Sequence, residues 1–183
     1  MSDYSVALFV HILGVITLFG VIAFQQVGAM RLRAATTAQE VRLWSGVLRP
    51  TGRMLPASGA LLLASGLYMG RSWPRGTPLV VVGFVTLLAM AVVGGAVIGR
   101  WLAAIGRASV VAAGDPIGPD LSRLIRDPAG SIALSAVSGA ALGVVWLMTN
   151  KPGWVASVWI VTGATALGGV IGGLTSRARA DST

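Results

Sequence analysis

The sequence predicts an all-α fold, a polytopic transmembrane helical bundle of about five spans with its N-terminus outside and its C-terminus inside. Three observations predict it. Of 183 residues, 55% are apolar and only 11% charged, less than half the ~25% charge usual in a soluble domain. Mean hydropathy is +0.80, which makes lipid the expected solvent for most of the chain. Five apolar runs lack Asp, Glu, Lys and Arg, and each is near the ~20 residues that a crossing helix needs. The whole chain, 1–183, reads as a single transmembrane domain.

The first run is 4–30, Tyr4 to Met30. No Lys or Arg precedes it, and Arg31 and Arg33 follow. A signal peptide has the opposite charge order, so an uncleaved anchor is expected. An inner-surface segment, 31–53, comes next. Thr37 and Glu40 have capping-box spacing, and Val41, Trp44 and Leu48 recur at helical spacing with Arg42 and Arg49 among them. This pattern predicts a short helix lying on the inner surface.

Pro50 and Pro56 are expected to break or kink the entry to the second and shortest run, 54–70. Were that run only to dip into the bilayer, every later loop would change side. The third run is 79–99, followed by a second inner-surface segment, 100–130. There a short helix is expected after Pro119, through Leu121, Leu124 and Ile125. Asp127 and Pro128 read as the cap and first residue of the fourth helix. The fourth run is 131–149 and the fifth 154–175. In lipid the backbone must satisfy its own hydrogen bonds, and without period-2 alternation these runs are helices rather than barrel strands.

Charge sets the expected orientation. With the N-terminus outside, the inner segments hold Arg31, Arg33, Arg42, Arg49, Arg53, Arg100, Arg107, Arg123, Arg126, Arg177 and Arg179, and the outer ones only Arg71, Arg75 and Lys151. Basic residues favour the inside. Trp73 and Trp154 flank outer ends, Trp44 and Trp101 inner ends, the interfacial depth that indole prefers. Two stretches are alike, Ser58-Gly59-Ala60-Leu61-Leu62 and Ser138-Gly139-Ala140-Ala141-Leu142. They fit a duplication in which runs two and three repeat as four and five, and equally a chance likeness between small-residue helices.

The net charge of +8 comes almost wholly from Arg at the ends of apolar runs. These are topology anchors and contacts for anionic head groups, and no nucleic-acid partner is implied. Cysteine is absent and His11 is the sole histidine, which excludes disulfides, thiolate metal sites and a His/Cys zinc site. No carboxylate lies within a run, so a proton or cation relay of the usual kind, and with it a small-solute transporter, has little support. No phosphate-binding loop, HExxH motif or nucleophile elbow is present.

Small residues recur at four-residue steps: Ser135, Gly139 and Gly143; Ala164, Gly168 and Gly172, with Thr165, Gly169 and Gly173 beside them; and Ala91, Gly95 and Gly99. Such rows let backbones approach, either within the bundle or at a homo-oligomer seam.

His11 is the only Asp, Glu, His, Lys or Arg within a run, about seven residues in, or roughly 10 Å at ~1.5 Å per residue. Gly14, Leu18, Ile22 and Gln25 share its helix face. Such a polar group is expected to face the bundle interior. Gly14, one turn on, leaves room beside the imidazole for a flat ligand or for another helix. Two readings of His11 stand side by side. In one it is a neutral packing residue bonded to a neighbouring helix. In the other it is a ligand for haem b or copper. A haem would take its second axial group from a Met, from another protomer's His11, or leave that position vacant. Met69 and Met148 lie at the same end as His11. One imidazole with two thioethers is a soft set suited to Cu(I), though both Met side chains could equally fill gaps in the packing.

Leu8-Phe9-Val10-His11-Ile12-Leu13-Gly14 followed by Phe19-Gly20 resembles the first helix of several small bacterial membrane families. Among these are the copper-resistance-protein-D-like group and the haem-dependent protoporphyrinogen oxidase membrane family. The chain is most similar to an uncharacterised family of small predicted integral membrane proteins. It is similar there in the first helix, in Ser65-Gly66-Leu67-Tyr68, and in Trp146-Leu147-Met148-Thr149-Asn150-Lys151-Pro152-Gly153-Trp154. The resemblance implies a membrane bundle whose first-helix His11 binds haem or copper. The oxidase family also uses a helix-associated Lys, whereas the only Lys here, Lys151, is in an outer turn. Two functions follow as expectations for this multi-pass protein of the bacterial plasma membrane. One is a cofactor-binding protein with haem b or copper at His11. The other is a non-catalytic subunit or scaffold packing on itself or on a larger membrane-protein partner.

Overall fold

The computed structural model describes residues 3–71, 77–112 and 116–180, with side chains to Arg177. Trp73, Arg75 and their turn, and the side chain of Arg179, lie outside the described residues. The described residues form helices and no strand: α1 (Asp3–Ala34), α2 (Ala38–Leu48), α3 (Thr51–Gly70), α4 (Pro78–Val93), a π-helical segment (Gly94–Gly99), α5 (Arg100–Val111), α6 (Pro119–Arg126), α7 (Pro128–Asn150) and α8 (Trp154–Ala180). Four rods are long and apolar enough to cross a membrane: Asp3–Ala34, Pro78–Val111, Pro119–Asn150 and Trp154–Arg177.

The helix starts are written locally. Thr37 Oγ1 accepts from the Glu40 N–H at 3.2 Å while the Glu40 carboxylate accepts from the Thr36 and Thr37 N–H groups at 2.8 and 3.4 Å. These are the reciprocal bonds of a capping box. Asp127 accepts from the Ala129 N–H at 2.9 Å and Pro128 opens α7, where a missing N–H costs nothing. Pro50 precedes α3, and Pro56 lies within α3 rather than ending it.

Consecutive long helices run antiparallel. Along α1 and α3, His11 meets Ser65, Gly14 meets Leu62 and Gln25 meets Thr51, so α3 follows α1 over most of its length. Along α4–α5 and α7, Gly83 faces Met148 and Trp101 faces Gly130. The closest pair is α7–α8. A Cβ on Gly139 would fall 2.1 Å from the Ala164 carbonyl oxygen, one on Gly168 2.2 Å from that of Ser135, and one on Gly172 2.6 Å from that of Ser131. The rows of α7 and α8 therefore close on each other within one chain. Only glycine permits such backbone contact. The third row differs, because Gly95 faces open space.

Three features depart from the sequence expectations. The third rod does not stop at Gly99 but continues to Val111, through the π segment. Inserting a residue into a helical turn widens it. Gly94 lets Leu55 of α3 press into the widened turn, and the Arg100 Nε donates to the Ala96 carbonyl there. The twelve residues of α5 add roughly 18 Å at ~1.5 Å per residue. Secondly, α2 turns Ala38, Val41 and Leu48 inward against α5 and the end of α1, a protein contact that the sequence did not indicate, while Leu43 and Val47 stay exposed. Thirdly, Trp101 is buried over Gly130 with its indole N–H on the Leu124 carbonyl at 3.0 Å, not displayed at an interface.

The basic end is thus a small packed unit of α2, α5, α6 and the end of α1, centred on Leu32, Val41, Leu48 and Ile105, all fully buried. Two arginines are used inside it. Arg42 donates to the Ser109 and Ala112 carbonyls that end α5, at 3.1 and 3.3 Å. Arg33 donates to the Ile125 and Asp127 carbonyls that end α6, at 3.4 and 3.2 Å. Cations there satisfy orphan carbonyls at the negative end of the helix dipole.

Candidate functional site

His11 sits on the inward stripe of α1, whose neighbours Gly14, Leu18, Ile22 and Gln25 are all buried. Its Nδ1 lies 3.1 Å from the Ser65 Oγ. That hydroxyl donates its single proton to the Leu61 carbonyl at 2.6 Å, with the Leu62 carbonyl at 3.3 Å. With the Ser65 proton on the shorter bond to Leu61, the hydroxyl accepts from the imidazole, an arrangement that puts the ring proton on Nδ1 and leaves Nε2 its lone pair. A Cβ on Gly66 would lie 3.5 Å from His11 Cε1 and 3.7 Å from Nδ1. The Nδ1–Cε1 edge therefore faces α3, and Nε2 belongs to the opposite edge. The space beside Gly14 is taken by Leu62, whose Cγ would stand 3.0 Å from a Cβ at that position.

His11 lines a narrow cavity of ≈ 40 Å³ between α1, α3, α4 and α7, together with Leu18, Leu62, Leu87, Val144 and Met148. Of the two expected thioethers, Met148 shares this cavity with His11, whereas Met69, at the end of α3, is not part of its wall. Among the described residues no three His, Cys, Asp or Glu side chains come together as a metal-binding group. A volume of this size takes a few waters or one small ion. Pockets for drug-sized ligands are ~300–1,000 Å³, and a porphyrin does not fit between these helices as they stand.

Comparison with protein-family models, curated proteins and solved structures finds no match for this chain.

Two further polar bridges tie α1 to its neighbours. Gln26 Nε2 donates to the Ser138 Oγ on α7 at 3.0 Å. Gln25 Nε2 donates to the Thr51 Oγ1 on α3 at 3.1 Å, and that hydroxyl donates onward to the Leu48 carbonyl at 2.6 Å. Sequence reasoning placed Gln25 on the face of His11 but missed Ser65, Thr51 and Ser138 as partners. Ser65 and Ser138 are small polar residues within apolar runs and Thr51 precedes one, an ambiguous signal until the pairing of helices is known.

Proposed function

We propose that the protein is a five-span bundle of the bacterial plasma membrane that holds Cu(I) at His11 and Met148, near the outer face. The carrying observation is the His11 ring, held at Nδ1 by Ser65 and lining one cavity with Met148. Metal-binding histidines characteristically have the second ring nitrogen held in this way. A neutral imidazole and a thioether are donors suited to a soft monovalent ion, and the cavity admits an ion where it has no room for haem. Bound there, copper would supply affinity for soft ligands. The chain's own contribution is to fix the imidazole, shield the site with Leu18, Leu62 and Val144, and supply the thioether.

The span count rests on α3. Although less apolar than the other four, it lies antiparallel to α1 from Thr51 to Ser65, so a membrane crossed by α1 contains α3 as well. The arginine-rich end is then inside.

A second reading is favoured by a different observation. His11, Gln25 and Gln26 each bond a Ser or Thr of a neighbouring helix, so His11 can serve packing alone in a non-catalytic subunit. Metal analysis and absorption spectra of protein purified from cells supplied with copper and haem separate the two. The copper reading expects about one copper per chain in wild type, none in His11→Ala and a reduced content in Met148→Leu. A metal-free, colourless protein that takes up no Cu(I) under reducing conditions would sink it and leave the packing role. A Soret band lost in His11→Ala would replace copper by haem.

A further inference from the structure

We infer that a second cavity, near the basic end, binds the phenol or hydroquinone head of a bilayer-soluble molecule through Gln25. The cavity measures ≈ 120 Å³ and lies where α1, α3 and the π segment meet, walled by Gln25, Leu55, Pro56, Gly95, Ile98 and Leu102. It shares no wall residue with the His11 cavity, so the inference is independent of the copper reading.

Gln25 is only 3% exposed, and its Oε1 is buried without a hydrogen-bond partner. Turning the amide round would only move the deficit: Thr51 has one hydroxyl proton, bonded to the Leu48 carbonyl at 2.6 Å, and would have to withdraw it to serve Oε1. A buried acceptor left unmet is costly and calls for a donor. Other acceptors lie close. Pro56 has no N–H to offer the carbonyl of Gly52, four residues earlier and also in the wall.

The donor sought is neutral. Arg53 and Arg100 directly follow the wall residues Gly52 and Gly99, and no carboxylate is present in the wall, so a cation is disfavoured. The rest of the lining is aliphatic, and a closed aliphatic cavity of ~150 Å³ takes one benzene ring. The rim residues Pro56, Ala91 and Gly95 are exposed on apolar helices, so entry is from the lipid side. An aromatic ring carrying O–H and a lipid-soluble tail meets all three conditions. A quinone of the same shape has only acceptors and leaves Oε1 unmet, so the site favours the reduced form.

The test uses the full chain in lipid nanodiscs, with 4-heptylphenol and its methyl ether, 4-heptylanisole, as probes in equilibrium dialysis against empty nanodiscs. Wild type should bind the phenol saturably and about tenfold tighter than the ether, the worth of one hydrogen bond. Gln25→Leu should erase that preference. Gly95→Leu places bulk at the exposed rim, where the Cβ has open space, and should block entry and abolish saturable binding of both probes without touching the Gln25–Thr51 bond. The inference is overturned if both probes only partition as into empty nanodiscs, which leaves water as the occupant. Equal affinity for phenol and ether in wild type, or phenol binding indifferent to Gly95→Leu, overturns it as well. If Gln25→Leu does not fold, the wild-type preference and Gly95→Leu still decide.

Discussion

Replacing Gly139 by Ala puts one methyl group where there is no space and no side chain that can move aside. The added Cβ would lie 2.1 Å from the Ala164 carbonyl oxygen and 2.9 Å from its carbon, against an ordinary contact of 3.4–4 Å. Helix α8 must therefore retreat by more than 1 Å, which opens the whole α7–α8 seam, including the approaches at Gly143, Gly168 and Gly172. Overpacking a well-filled core costs about 1–3 kcal/mol. Because backbone rather than a rotamer must yield, we expect the upper end, about 3 kcal/mol. Gly163→Ala is the control, since nothing lies within 4 Å of its Cβ. It should be neutral or gain up to ~1 kcal/mol from helix propensity. Reversible unfolding in mixed dodecylmaltoside–SDS micelles, followed by tryptophan fluorescence, reads both. Gly168→Ala should match Gly139→Ala, and the double variant should cost little more than either, because the first substitution has already separated the helices. Gly139→Ala unfolding at the same SDS fraction as Gly163→Ala would refute the seam.

Other outcomes follow from the same packing. Gly130→Ala should destabilise by about 1–3 kcal/mol and shift tryptophan emission, because its Cβ would lie 2.4 Å from the rigid, buried Trp101 ring; unchanged emission and stability would contradict that contact. Thr37→Ala should cost about 1 kcal/mol and raise hydrogen exchange in the first turn of α2, with α7 unaffected. The Thr36 and Thr37 N–H groups hold the Glu40 carboxyl below the usual carboxylate range. Its contribution is therefore complete above the unfolded pKa of ~4.3 and is lost as pH falls through the lower folded value. A thermal midpoint scan from about pH 6 to pH 3 should be flatter in Glu40→Gln than in wild type, and identical slopes would remove Glu40 from the acid response. Ser65→Ala should free the His11 ring to change tautomer and weaken Cu(I) binding about 10–100-fold; affinity equal to wild type would make Ser65 irrelevant to the site.

Much of this protein was decided by local chemistry. A run of apolar residues in lipid has no alternative to the helix, so four of the five expected runs reappear as rods long and apolar enough to cross. Thr37 with Glu40, and Asp127 with Pro128, start helices through bonds spanning two to four residues. Such pairs are readable in any sequence. The inward face of α1 was equally legible, since 3.6-residue periodicity puts Gly14, Leu18, Ile22 and Gln25 under His11. What the sequence could not carry was partnership. Every apolar run looks alike to every other, so nothing local said that Ser65 would meet His11, that Gly139 would meet Ala164, or that Arg33 and Arg42 would end helices rather than only anchor them. Nor could composition foresee that α4 would run on through a π segment into α5. Leu55 enters beside Gly94 at that π segment, and the extension gives α2 a protein surface to pack on. Tertiary structure alone also made the two cavities, because a cavity is the space several helices jointly leave unfilled, and no single helix encodes it.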